Sequence, residues 1–431
     1  MQRGFSSASL ALADSVTHGT TAKIAELNKG VAEADRVVDL SIGTLDLPAD
    51  PRIDEAVSRH VREKADLLHA FAPVKGMPFL RASLAAKISR MHAVTVNAET
   101  EVLVTPGGIK GALTIVFHTF LDPGDEVIVP LPNWPHYADM IRLHRGVPVF
   151  VAAADPATKP GLTPEALTSA MTDKTKLVVL GDCINPTGKV YAKSELEALA
   201  AVVAAENVKR SKASKSPIYV VFDCPYESHI LGTRAPTFAA IVVNVPDHGS
   251  YALRDVTAMV TGPGKTYGMH GDRIGYLWAS APVIEMAARV QVNTNSFAST
   301  YGQVATHAAV QPEMDEVAAS RAKHARANLE HVIDRLTRSG RIKIARPDGG
   351  YFLFVDFTAY AERYAKLGHT TAEQFLLSEA RVAGIDGAYF APGVPGLQHY
   401  VRLNCGRTRE ILDEACIWWG EKDRVFRVVL A

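Results

Sequence analysis

The chain has 431 residues, of which 47% are hydrophobic and 21% charged, so it can bury a large core and we expect one large and one smaller domain. Its 46 basic and 46 acidic residues cancel, and no basic stretch is dense enough to predict nucleic acid or anionic lipid as a partner. No apolar run reaches the roughly 18 residues of a membrane helix, and the short apolar start does not predict a signal peptide. Four scattered cysteines without a CxxC pair predict a reduced, cytoplasmic setting.

Short β-branched runs alternate with helical segments through the middle of the chain. This order predicts an α/β fold with buried, mostly parallel strands joined by crossover helices. Ligands collect at the carboxyl ends of such strands, where the loops begin. The predicted strands are 101–105, 125–130, 147–151, 175–180, 218–223 and 258–261; the predicted helices are 109–120, 195–206 and 315–339, with a basic surface loop at 209–216.

The pattern changes near residue 314, where a long helix is followed by a single apolar strand pattern at 349–356. We therefore predict three parts of the chain. Residues 1–60 form an N-terminal segment that packs with the small domain, residues 61–313 form the large domain, and residues 314–431 form a small C-terminal α+β domain.

Two segments place polar backbone or an aromatic ring after a predicted strand. In Thr105-Pro-Gly-Gly-Ile109, free backbone N–H groups at Gly107, Gly108 and Ile109 would face an anion at the start of a helix. Trp134 follows the next strand and could stack on a flat heterocycle. An ordinary glycine-rich turn and a core tryptophan explain each segment equally well on its own.

Two further strand ends carry hydrogen-bonding side chains. Asn185, in an Asn-Pro-Thr-Gly turn, could donate to a ring oxygen. Asp223 and Tyr226 follow the strand at 218–223, and a buried carboxylate there would keep a pyridine nitrogen protonated. A strand-end aspartate that caps a loop is the alternative.

Lys265 and Arg273 complete the pattern. Lys265 follows a probable strand that ends at Thr261, and Arg273 lies shortly after it. Pyridoxal phosphate needs an amine that forms a Schiff base with its aldehyde and a bidentate cation for its phosphate. Five such segments in this order predict a pyridoxal-phosphate site.

Together these segments resemble the class I/II aminotransferases, a family of fold-type I pyridoxal-phosphate enzymes, over roughly residues 39–407. The resemblance implies a large domain with a mixed, mostly parallel sheet flanked by helices, plus a smaller α+β domain. It also implies a homodimer with shared active sites. The implied roles are Lys265 as Schiff-base lysine and general acid/base, Asp223 on the pyridinium, Asn185 and Tyr226 on the phenolate oxygen, Trp134 on the ring, Arg273 on the phosphate, and Arg402 and Gly43 on the substrate carboxylate.

The chain departs from the family pattern around the phosphate. Gly262-Pro-Gly-Lys265 stands where the family commonly has Ser-x-Ser-Lys, and Phe71 stands where it has a tyrosine from the partner subunit. Three hydroxyl donors are therefore missing, each contributing about 1 kcal/mol, or about twice that to a charged group. Cofactor retention should weaken unless Thr261, Thr266 or Lys75 compensates.

The reaction is open at the level of sequence. Transamination of an α-amino acid is the commonest outcome on this scaffold, but β- or γ-elimination, replacement and carbon–carbon bond formation, including chemistry on S-adenosylmethionine, use the same cofactor. A non-catalytic binding protein is a further alternative, against which the intact Lys265, Asp223 and Arg273 argue.

The substrate side chain and the subunit contacts rest on fewer residues. Residues 292–301 contain no arginine, which argues against aspartate or glutamate as preferred substrate, and Asn295 is a candidate substrate contact. Phe71, Lys75 and Asn295 are the candidates to reach a partner's site.

Overall fold

The computed structural model describes residues 4–12, 16–153, 155, 160–338 and 340–420. Its helices are α1 (Ser7–Leu10), α2 (Val16–Leu27), α3 (Pro51–Glu63), α4 (Ala65–His69), α5 (Pro78–His92), α6 (Gly108–Phe120), α7 (His136–Leu143), α8 (Pro164–Ala170), α9 (Lys193–Lys212), α10 (Pro263–Tyr267), α11 (Ala281–Thr294), α12 (Thr300–Ala309), α13 (Asp315–Thr337), α14 (Ala361–Lys366), α15 (Ala372–Glu379) and α16 (Arg409–Gly420).

The strands form one large sheet and three smaller ones. They are β1 (Val38–Asp39), β2 (Val102–Pro106), β3 (Glu126–Leu131), β4 (Val147–Ala152), β5 (Thr175–Gly181), β6 (Tyr219–Asp223), β7 (Val242–Val245), β8 (Gly249–Ala252), β9 (Thr257–Thr261), β10 (Ile274–Trp278), β11 (Lys343–Ile344), β12 (Phe352–Asp356), β13 (Val382–Ala383), β14 (Ile385–Asp386) and β15 (Tyr400–Asn404). The six strands predicted from the sequence all form, each within a residue or two of its predicted limits.

The seven-stranded sheet has the order β2-β10-β9-β6-β5-β3-β4, in which β10 runs antiparallel to both of its neighbours and the other pairs are parallel. Alternate residues of each strand pack on opposite faces, because side chains along a strand alternate in direction. Val104 and Ile128 join the core on one face, and Leu103 and Val127 join the core on the other. Both faces are covered, so the predicted α/β fold with a mostly parallel sheet is confirmed.

A second, four-stranded antiparallel sheet has the order β11-β12-β15-β14 and packs with α13, α15 and α16. The N-terminal segment contacts both parts of the molecule. Val38 pairs with Val382, close to the four-stranded sheet, whereas Ile53 on α3 lies in the core of the larger unit, the part built around the seven-stranded sheet. The limits of the three parts therefore stay a prediction, with residues 51–63 lying against the larger unit.

The loop predicted at 209–216 is wrong in its first half, because α9 continues through Lys212. Arg210 is buried, pairs with Glu206 at 3.1 Å one turn earlier, and donates to the carbonyl oxygens of Thr175 at 2.9 Å and Thr172 at 2.6 Å. Basic side chains are also favoured at a helix C-terminus by the helix dipole. The predicted helix at 315–339 ends at Thr337, and Ser339 lies outside the described residues.

Within the described ranges, no helix has the length and apolar character needed to cross a membrane. All four cysteines are buried and unpaired.

Candidate active site

One cavity of about 250 Å³ lies at the carboxyl ends of β5 and β6 and beside the start of α6. Its walls are built by loops that follow parallel strands, as the topology of such sheets predicts. The structure brings eight of the predicted residues together there: Gly108, Ile109, Trp134, Asn185, Asp223, Tyr226, Lys265 and Arg273.

Lys265 lies on α10, the single turn that follows β9, and its Nζ is 5.1 Å from the centre of the Tyr226 ring. Burial lowers the pKa of Lys265 to about 8; the positive charge of Arg402 acts in the same direction, and Asp223 opposes it. With a pKa of about 8, roughly a tenth of the amine is neutral at pH 7 and about half at pH 8, and the neutral amine is the form that attacks an aldehyde.

Asp223, the last residue of β6, is buried, and one of its two carboxylate oxygens accepts a hydrogen bond from another residue of the protein. The Tyr137 hydroxyl donates to its Oδ2 at 2.5 Å, and its Oδ1 is buried without a hydrogen-bond partner among the described residues. Burial raises the pKa of Asp223 to about 6, against the lowering effects of Tyr137 and Lys265. An unpartnered buried oxygen is costly, so Oδ1 points to a donor that the site is built to receive.

Arg273 is held open toward the cavity by two backbone carbonyls. Its guanidinium donates to His270 O at 3.0 Å and to Gly107 O at 2.7 Å, and it has no carboxylate partner among the described residues. A Cβ on Gly108 would lie 3.2 Å from Arg273 Nη2, so glycine at this position lets the arginine approach the backbone.

The backbone donors at the start of α6 differ from the prediction. The Gly108 N–H donates to Arg273 O at 2.9 Å, so it is not free to face an anion, and Gly107 does not line the cavity. Ile109 and Lys110 do line it, and first-turn amides have no partner within their own helix. Of the three predicted amides, only that of Ile109 is left as a possible donor to the cavity, and the amide of Lys110 is added to it.

Arg402 lies on β15, in the smaller sheet, and reaches across to the larger unit. Its Nη1 donates to Asn185 Oδ1 at 3.2 Å and its Nη2 to Ser41 O at 2.5 Å, while the guanidinium stacks 4.3 Å from the centre of the Phe352 ring. Burial lowers the pKa of Arg402 to about 10. Gly43 lies nearby, where a Cβ would be 3.1 Å from Phe352.

Several candidates lie outside the cavity. Asn295 is exposed at the end of α11, and Lys75 pairs with Glu285 at 3.2 Å. Phe71 is 92% exposed. The Thr261 hydroxyl donates to Cys224 O at 2.8 Å, and the buried hydroxyl of Thr266 has no partner in the part of the chain that the structure describes. Neither threonine lines the cavity, so the structure does not show them replacing the missing hydroxyls.

The cavity also contains polar residues to which the sequence assigned no role: Lys110, Asn133, Tyr137 and His270. Tyr137 had a detectable signal, because it follows Trp134 by three residues at the start of a helix, where residues three apart share a face. No local sequence pattern indicated Lys110 or His270, since each reaches the cavity only through the packing of α6 and α10.

These groups fit pyridoxal phosphate. Lys265 offers an amine for its aldehyde, Asp223 an unpartnered oxygen for its ring nitrogen, Trp134 an aromatic face, and Arg273 an unpaired cation for its phosphate.

The family model described as aminotransferase class I and II matches residues 35–417. An aspartate aminotransferase of Streptomyces avermitilis is 32% identical over 91% of this chain and 90% of its own length. An aspartate/prephenate aminotransferase of Thermus thermophilus is 32% identical over 96% of this chain and 97% of its own length. A solved structure of the Thermus thermophilus aspartate aminotransferase with maleate has a TM-score of 0.81 at 30% identity, covering 97% of this chain and 99% of that one.

These matches bear out the resemblance seen in the sequence and do not favour elimination, bond formation or a non-catalytic role. The chain belongs to the class I and II aminotransferase family, and it is a pyridoxal-phosphate-dependent transferase with the fold type I architecture.

Proposed function

We propose that this protein transfers the amino group of an α-amino acid to a keto acid, with pyridoxal phosphate held at Lys265. One observation carries the proposal: a lysine of lowered pKa and a buried aspartate with an unpartnered oxygen line the same cavity. When bound, the cofactor supplies a protonated ring that accepts electrons from the substrate's α-carbon.

The residues of this chain have separate tasks in that reaction. Lys265 takes the α-proton as a neutral amine and returns it, with a pKa near the working pH. Asp223 keeps the ring nitrogen protonated through Oδ1. Arg402, already oriented by Asn185 and Ser41, binds the substrate carboxylate as a fork of two donors, and the Gly43 backbone lies beside it.

The cofactor contacts follow from the same geometry. We assign the phosphate to Arg273 and to the first-turn amides of α6, and the ring face to Trp134. Because Asn185 Oδ1 accepts from Arg402, the amide NH₂ of Asn185 is left to donate, which suits the phenolate oxygen of the cofactor, together with Tyr226.

We also propose a two-fold dimer in the cytoplasm. Phe71 is 92% exposed and meets Phe297 edge-on at 5.8 Å. Leu67 on α4, Val292 on α11 and Tyr301 on α12 are further exposed apolar side chains, and exposed apolar surface of this kind supports a subunit interface. We expect a dimer in sedimentation, and Phe71→Glu to shift it toward monomer; a monomeric, active wild type would contradict this.

The proposed reaction has a direct test. Purified protein with pyridoxal phosphate is titrated with amino acids in the absence of keto acid, and the cofactor's absorbance is followed. Bleaching to a pyridoxamine-like spectrum that a keto acid restores supports transamination; spectral recovery without an acceptor would contradict it. Aspartate and asparagine, from the relatives' names, come first as amino donors, and prephenate comes first as the keto acid that restores the spectrum; the absence of arginine from 292–301 nevertheless predicts weak dicarboxylate preference. Lys265→Ala is the inactive control.

A further inference from the structure

Two polar side chains share the cavity with Arg273 without a role in the proposed reaction. They are Lys110, in the first turn of α6, and His270, after α10. Gly264, which cannot supply a hydroxyl, lines the same cavity, and His270 lies next to it.

Lys110 is a cation without a counter-ion. It makes no ion pair within 4 Å among the described residues, and its ammonium lies 5.3 Å from the centre of the Trp134 ring, which holds it over the cavity wall. Desolvation and the neighbouring charge of Arg273 lower the pKa of Lys110, whereas the charge of Asp139, which forms no ion pair with it, acts in the opposite direction. Two like charges facing one cavity cost free energy unless an anion lies between them.

His270 fills the space beside Gly264. A Cβ on Gly264 would be in ordinary contact with the imidazole, 3.9 Å from His270 Cδ2, so the ring lies next to the place where a serine side chain at 264 would begin. Its Nε2 is buried without a partner in the described part of the chain, and its carbonyl positions Arg273 at 3.0 Å. A ring nitrogen is thus available beside the arginine.

Resting on the proposed function, we infer that Lys110 and His270 complete the phosphate subsite of this enzyme and replace the hydroxyls that Gly262, Gly264 and Phe71 cannot supply. The ligand is a phosphate monoester dianion, bound by two cations, Lys110 and Arg273, and by the amides at the start of α6. The phosphate is therefore recognised by Lys110 on α6 and by His270 after α10 in place of the hydroxyls that are missing at positions 71, 262 and 264.

The test uses full-length protein freed of cofactor and titrated with pyridoxal phosphate and with pyridoxal, which lacks the phosphate. Absorbance and tryptophan fluorescence give each Kd without turnover. We expect Lys110→Met to weaken pyridoxal phosphate binding about tenfold, since a charged hydrogen bond contributes on the order of the energy that a tenfold change represents. Pyridoxal binding should change less than about twofold, and Lys110→Arg should restore most of the loss.

His270→Phe keeps the ring's shape without its nitrogens, and should lower affinity for pyridoxal phosphate by a few-fold while leaving pyridoxal binding unchanged. Lys193→Met is the matched control, because Lys193 is also in the first turn of a helix but is exposed and pairs with Glu197 at 3.6 Å. It should leave both Kd values unchanged. Inorganic phosphate should compete with pyridoxal phosphate less well in Lys110→Met than in wild type.

Three results would overturn the inference. Equal losses of pyridoxal phosphate and pyridoxal affinity would mean that Lys110 shapes the cavity without reading the phosphate. Unchanged Kd values would remove both residues from the subsite. An unchanged cofactor Kd with a raised KM for aspartate but not alanine would assign Lys110 to a substrate carboxylate instead. Failure of the proposed function looks different: the wild-type protein would still bind pyridoxal phosphate with these Kd differences, but its spectrum would recover from an amino acid without a keto acid.

Discussion

The Tyr137 hydroxyl lies 2.5 Å from Asp223 Oδ2 and donates to it, so only Oδ1 of this carboxylate is free for a ligand. The aspartate is thereby fixed in one orientation, and its negative charge is stabilised by a neighbour that lines the same cavity. Tyr137 does not reach the substrate carbon; it acts by positioning Asp223.

Replacing Tyr137 by phenylalanine should raise the pKa of Asp223 in the cofactor-free protein above its present value of about 6, because the hydrogen bond from Tyr137 lowers it. With the carboxylate less stabilised, kcat/KM should fall about tenfold, the cost of one hydrogen bond to a charged group. Carbon-13 NMR of labelled aspartate measures the pKa. Tyr191→Phe removes another buried hydroxyl hydrogen bond, from the Leu162 N–H at 2.8 Å, and should leave the Asp223 titration unchanged.

Asp223→Asn should make the cofactor-free protein more stable at pH 8 and abolish the reaction. The folded-state pKa of about 6 lies above the ordinary 3.8, so the native protein binds this proton more tightly than the unfolded chain. Ionisation of Asp223 therefore lowers the free energy of unfolding of the wild type. This loss is absent below about pH 4, grows between about pH 4 and pH 6, and reaches at most about 3 kcal/mol above that range. Thermal unfolding of the wild type and of Asp223→Asn across this pH range measures the difference in stability. If the variant is as much more stable at pH 4 as at pH 8, the raised pKa of Asp223 is contradicted.

Attachment of pyridoxal phosphate to the cofactor-free protein should accelerate with pH and level off above about pH 8. Burial and Arg402 lower the pKa of Lys265 to about 8, and only the neutral amine attacks the aldehyde. Stopped-flow absorbance between pH 6.5 and 9.5 gives the profile. Lys265→Ala should show no attachment at any pH, and a wild-type profile that still rises steeply at pH 9.5 would show an unperturbed lysine.

Arg402→Lys should raise KM for α-amino acids about 100-fold, since lysine cannot supply the bidentate fork of donors to a carboxylate. The half-reaction with an amine that lacks the carboxylate is the control and should be unaffected. If KM rises equally for the amino acid and for the amine without a carboxylate, Arg402 supports the structure of the cavity rather than binding the carboxylate.

The sequence was informative wherever a residue's role depends on its own strand or turn. The strand at 175–180 was predictable because its residues 177–180 are buried on both faces and therefore all apolar, and Asp223 was predictable as a candidate because it ends a similar strand. The eight predicted residues that line the cavity all belong to segments of this kind.

Contacts between distant segments were not predictable. Arg210 looked like part of a basic loop, but its guanidinium is taken up by carbonyls some 35 residues away in sequence. The Gly108 N–H was predicted to donate to an anion, but in the fold it donates to the carbonyl oxygen of Arg273. Lys110 and His270 belong to the same class, since no local pattern states which wall of a cavity a side chain will face.

The hydrogen bond from Arg402 to Asn185 joins a strand of the smaller sheet to a loop of the larger one. A carboxylate that arrives at Arg402 shares the nitrogen Nη1 with Asn185, because this nitrogen has two hydrogens to donate, and it changes the charge that Asn185 faces. The asparagine can thus act as a reporter: an unreactive acid without an amino group, bound at the arginine alone, should change the colour of a cofactor that it never touches.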